Sequence, residues 1–313
     1  MESNLKRKRS PSAAPVAPAP FNKPADFIIR TSQDTQFHVS SVILSFASPY
    51  FHDLVPNANP RKPFVFNVPE PDATIETILR LIYPIPDPTL HDLGDIADAY
   101  AAALKYQLDA ATDSLRKLLL LPCFLGREPV RVYAIARRFG LVEEANLAAD
   151  EACKRNPAEW PSCKEFDHVS GAVYQDLVLH HRKWVITAVR ILDETQVLQQ
   201  AGLCLNCRSS WYQEYAHRVK PMLTHAPTRN DVFGPTYVAG LGTLCCKLCV
   251  LSALKATKPG AALDQLREEI RAVGICVVEG KQRVRLNARY LAHDAYQITL
   301  AENLSHLLQI KKP

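Results

Sequence analysis

The chain has 313 residues, 47% of them hydrophobic and 22% charged, with a formal net charge of +5. Those proportions suit a soluble globular chain long enough for two domains, and no apolar run approaches the roughly 18 residues needed to cross a bilayer. The charge is mild and much of it sits in Lys6, Arg7, Lys8 and Arg9, so a nucleic-acid-binding face is not forced by composition.

The opening MESNLKRKRS lacks the apolar core of a secretory signal, so the expected location is the cytoplasm, the nucleus or both. In a reducing compartment the nine cysteines are expected as thiols or metal ligands rather than as a disulfide framework, and their odd number agrees. Residues 1–21 are basic, then rich in Ala and Pro, and read as a disordered tail. Lys6 to Arg9 form a candidate nuclear localisation signal, against the plainer reading of a solvated tail.

Folded elements follow. Ala25–Arg30 and Gln36–Val39 are short β-prone runs, and the polar Thr31–Asp34 between them makes a hairpin. Ser41–Ser48 repeats apolar residues at helical spacing, Pro49–Leu54 forms a second short element, and Phe64–Pro69 is a third strand. Asp72 or Thr74 is placed to cap the next helix, whose stripe is Ile75, Ile78, Leu79 and Ile82 and whose end is Pro84. From His91 the pattern is helical throughout, with one stripe at Leu93, Ile96, Ala97, Tyr100 and Leu104 and another at Leu108, Ala111, Leu115 and Leu118. Pro122 to about Lys154 reads as a helical pair broken at Gly140.

Strand, strand, two short helices, strand and three helices is an order that resembles the BTB/POZ domain. Asp26, Phe37, Leu44, Ser48 and Phe51 match its signature, and Leu79–Tyr83 resembles a later helix ending in an aromatic. The family usually carries His three residues after the Phe, followed by a basic residue. Here those positions are Ser40 and Ser41, and His38 does not substitute, because neighbouring strand residues face opposite ways. The helix–Gly–helix segment resembles the start of the BACK extension, and the whole chain is similar to the BTB proteins abundant in mushroom-forming fungi.

The expected class is therefore α+β. A BTB domain over 22–121 is followed by a helical extension over 122–200 and a helical C-terminal region over 201–313. The resemblance implies a homodimer, for which Val42, Ile43, Phe46, Ala47 and Tyr50 are the candidate interface, although some of them would instead be monomer core. It also implies an adaptor or scaffold role. In many relatives the partner is a cullin ubiquitin-ligase scaffold, with the C-terminal region selecting protein clients; the missing His puts any contact needing it in doubt.

Two CxxC turns, Cys204–Cys207 and Cys246–Cys249, each precede a helix-like stretch. Together they could complete a closed, structural four-thiolate zinc site. Cys245 could replace Cys246, and His217 or His225 could supply a nitrogen. Buried free thiols are the alternative, and redox chemistry fits least, since it requires a βαβ setting.

For catalysis the sequence offers no GxSxG turn, GxxxxGK[ST] loop or GxGxxG after a strand, and no enzyme activity is expected. His180 and His181 read as surface or boundary residues, and Glu143–Glu144, Glu268–Glu269 and Asp92/Asp95 as solvated helix faces. A nuclear BTB-type transcription regulator with a zinc-bound C-terminal region is the alternative function. The cysteine region is not strongly basic, however, and Trp211, Tyr212, Tyr215 and Arg218 fit a small core as well as a base-stacking face, so nucleic acid and membrane are not expected partners.

Overall fold

A computed structural model describes residues 14–55, 62–194, 205–229, 231–233, 237, 267, 268 and 270. The chain divides into two compact units, Met1–His181 and Arg182–Pro313.

In the first unit, β1 (Phe27–Arg30) and β2 (Gln36–Val39) form the hairpin. Asp34 takes a φ of 72° in its turn, the left-handed conformation that Asp tolerates better than most residues. Two short helices follow, α1 (Ser41–Ala47) and α2 (Pro49–Leu54). They carry the chain over to β3 (Phe64–Asn67), which pairs with β1 in parallel and gives the strand order β2-β1-β3. A parallel partner requires such a crossover, because a tight turn cannot reverse the chain twice. Register places Phe27, Ile29, Phe37, Val39, Phe64 and Phe66 on one face. On that face Phe27 meets Phe51 edge-on at 6.1 Å, and Phe51 stacks on Tyr106 at 5.5 Å.

Helices α3 (Asp72–Ile82), α4 (Leu93–Lys105) and α5 (Asp109–Leu119) cover this core. The α3 stripe buries Ile75, Ile78 and Leu79 as its spacing predicts, and the helix stops at an extended Tyr83 before Pro84. Its cap differs from expectation. The N-cap position is Pro71, and Asp72 accepts instead from the hydroxyls of Thr31 and Thr35, fastening the hairpin turn to the helix start. Leu104 also departs from its stripe and lies exposed, since α4 is ending there.

The same core continues into α6 (Pro122–Leu125), α7 (Pro129–Arg138), α8 (Val142–Ala152) and the start of α9 (Gly171–Glu194), running from Phe27 through Leu115, Val132 and Ala149 to Leu177. Gly140 between α7 and α8 has a φ of 71°, which a β-carbon would disfavour. Glu144 is not the solvated carboxylate that its spacing suggests, whereas Asp92 is exposed as expected. Glu144 is buried and accepts from Arg116 Nε at 2.7 Å, while Asp92 caps α4 by accepting from the Gly94 N–H. His180 is half-buried, a boundary position as expected, but His181 is not. His180 Nε2 lies 2.8 Å from Asp150 Oδ1, and His181 is buried with its ring edge-on to Trp160.

In the second unit, the last turns of α9 bury Trp184, Ala188, Ile191 and Leu192, and α10 (Leu205–His225) buries Tyr215, Val219 and Leu223 along one face. The Tyr215 hydroxyl donates to the Val232 carbonyl at 3.3 Å. Tyr215 is thus part of a small core.

Candidate functional site

The residues that could recognise a partner converge on α1 and α2. Helix α1 has no acidic residue in its first turn, and the Ser40 side chain makes no cap bond. Two N–H groups at its start are satisfied from outside the helix. Asp26, just before β1, accepts from the Ser41 N–H at 3.0 Å and also from the Ser41 hydroxyl. Tyr83, at the end of α3, lends its hydroxyl oxygen to the Ser40 N–H at 2.8 Å. Burial raises the Asp26 carboxyl pKa, but the Ser41 hydrogen bonds outweigh it and leave the group below the ordinary carboxylate range. Sequence reasoning missed the Tyr83 bond, whose only signal was an aromatic at a helix end.

Helix α2 is held just as specifically. Ser48 is buried, accepts from the Phe51 N–H at 3.1 Å, and donates its hydroxyl to the Tyr106 carbonyl at 2.6 Å. Pro49 occupies the first turn, where its missing N–H costs nothing. Ser48 therefore caps α2 and ties it to the end of α4.

With both helices anchored, their apolar residues divide. Leu44 and Phe51 enter the core, and Ile43 and Ala47 are half-buried. Tyr50 remains partly exposed while its ring meets Phe51, Phe66 and Tyr106. Val42 and Phe46, one helical turn apart, point outward with 69% and 94% exposure. With Ser45, His52 and Val55 they line an open groove of 550 Å³. His52 and Val55 went unnoticed in the sequence, since their face is defined only once α1 and α2 are packed. The signature residues Phe37, Leu44, Ser48 and Phe51 are all buried, and Asp26 supplies the α1 cap.

Residues 20–120 match the BTB/POZ domain. This is a protein-interaction domain rather than a catalytic one. No curated protein matches the chain. Within the BTB/POZ domain, the hydroxyl of Ser41 meets Asp26 where the resemblance leads one to expect a basic side chain, so this pair is a hydrogen bond and not an ion pair.

Cys123, Cys153 and Cys163 are free thiols. Burial, reinforced by Asp150, pushes the Cys153 thiol up, and burial with Glu165 pushes Cys163 up to about 11, so neither is a thiolate nucleophile at neutral pH. Lys6, Arg7, Lys8 and Arg9 lie outside the described residues, as do Cys204, Cys245, Cys246 and Cys249. The backbone of Cys207 is in the first turn of α10, and its side chain is outside the description. Among the described residues, no group of three or more His, Cys, Asp or Glu side chains is placed to hold a metal, and no helix is long and apolar enough to cross a membrane.

Proposed function

We propose that the BTB/POZ domain forms a homodimer through its α1–α2 face, and that the protein works as a non-catalytic adaptor or scaffold presenting clients to a cullin-type ubiquitin ligase. The observation that carries this reading is Phe46, an aromatic 94% exposed one turn from an exposed Val42 on a helix whose other side is anchored in the core. Burying a side chain of this size is worth about 1.5–3 kcal/mol, and a two-fold interface would bury one from each protomer. A dimer presents every other surface twice, which raises avidity without new contacts.

The C-terminal unit would supply client selection. We carry Cys204, Cys207, Cys246 and Cys249 as a structural zinc site on the strength of their paired spacing. The site would stabilise that unit rather than act on a substrate.

The test is affinity purification of tagged full-length protein from native lysate, with mass spectrometry of what co-elutes. The reading expects a cullin near stoichiometry, lost when exposed residues in Ser48–Leu54 are substituted. Recovery of the protein alone, or of chromatin proteins released by nuclease, would reject the ligase role.

A further inference from the structure

The groove between α1 and α2 is lined by Ser41, Val42, Ser45, Phe46, His52 and Val55. A two-fold interface sets a patch against its own copy, so a patch of fixed charge repels itself. Helix α1, SVILSFA, carries no ionisable side chain, and His52 is the single ionisable residue among the six that line the groove. The groove therefore suits a second copy of itself whenever His52 is neutral. With His52 protonated, association would bring two cations onto one apolar surface.

None of the charged groups on the elements packed against α2 lines the groove. Asp53 follows His52 in sequence but lies about 100° around the helix, where successive side chains do not face each other. Asp26, behind Ser41, is committed to the Ser41 N–H and hydroxyl. Strands β1 and β3 meet α2 through the rings of Phe27 and Phe66, and Arg30 of β1 pairs with Asp34. At the end of α4, Lys105 and Tyr106 both donate to Glu70. His52 is exposed in the protomer, so water solvates either form of its ring. A second copy laid over the groove strips that water away, at a far greater cost to the imidazolium than to the neutral ring.

We propose, given the α1–α2 dimer on which this rests, that His52 makes self-association pH-sensitive. Two protomers join with both His52 rings neutral, and protonated protomers release one proton each to solvent as they do so. The dimer binds fewer protons than the separated protomers, so association is complete above the ordinary histidine range and is lost as pH falls through it.

Sedimentation equilibrium of the full-length protein at pH 7.5 and pH 5.5 tests this, with H52Q and H52R beside it. A histidine is about nine-tenths neutral at the higher pH and about one-tenth at the lower, and the two rings multiply, so Kd should rise by roughly 10- to 100-fold. H52Q should stay dimeric at both pH values, and H52R should be weak at both, each with a cooperative melt. A Kd that does not change with pH, an equal pH dependence in H52Q, or an H52R dimer as tight as the unaltered one at pH 7.5 would overturn the role of His52 and leave the dimer standing. A monomeric unaltered chain at pH 7.5 would overturn the dimer reading, and this role with it.

Discussion

Asp26 caps a helix to which it does not belong: its carboxylate accepts from the Ser41 N–H at 3.0 Å and from the Ser41 hydroxyl, closing the first turn of α1 from the foot of β1. The sheet and the proposed interface helix are thereby joined through one side chain. D26A should lower the stability of the first unit by about 1–2 kcal/mol, the usual cost of a lost cap, read as a shift in urea midpoint. An unchanged midpoint would mean that Tyr83 alone holds the helix start.

The same bond has a pH signature. Because the folded pKa of Asp26 is depressed, its contribution is fully present above the ordinary aspartate value of about 3.9 and is lost as pH falls through the lower folded value. Glu70 shifts the same way: burial raises it, and Lys105 and Tyr106 more than reverse that. Stability measured from pH 6 down to about pH 2 should show an acid limb that flattens in D26N. An equally steep limb in that variant would place the acid sensitivity elsewhere.

Arg131 holds three segments of the first unit together. It pairs with Glu165 at 2.6 Å, with Glu128 at 2.6 Å and with the α4 cap Asp92 at 3.6 Å. Glu165 is buried, and its second carboxylate oxygen has no hydrogen-bond partner among the described residues. R131A would strand that charge, at an expected cost of about 3–5 kcal/mol in chemical denaturation, whereas R131M/E165L should recover most of it. If the double variant were no better than the single one, packing by the arginine stem would be the cause.

Zinc is tested on the purified full-length protein. One equivalent of bound zinc is expected by elemental analysis. C204S or C249S should abolish it and melt the C-terminal unit, leaving the first unit folded. A metal-free protein whose melting the two variants do not change would assign the cysteines to buried thiols.

Much of the first unit was legible because its elements are short and sharply punctuated. Pro49, Pro71 and Pro84 bracket the helices, and alternation in Gln36–Val39 puts Phe37 and Val39 inward. The parallel pairing of β3 with β1 was not legible, since register across a crossover depends on tertiary contacts. Nor did the sequence divide Val42, Ile43, Leu44, Phe46 and Ala47 between core and surface, because a run apolar on every face carries no direction. The caps from Asp26, Tyr83 and Ser48, together with core packing, orient it, with Leu44 inward and Phe46 outward. Charge spacing also misled: Glu144 has the spacing of a solvated face, yet its partner Arg116 is 28 residues away.

The most direct test of the central claim is sedimentation equilibrium of the full-length protein beside F46D. The account predicts a dimer for the unaltered chain. In F46D, self-association should weaken by about 2–4 kcal/mol, roughly 30- to 1,000-fold in Kd, while the protomer stays cooperatively folded, because Phe46 is 94% exposed and supports no core contact. A monomeric unaltered protein, or a dimer indifferent to F46D, would contradict the assignment of the α1–α2 face.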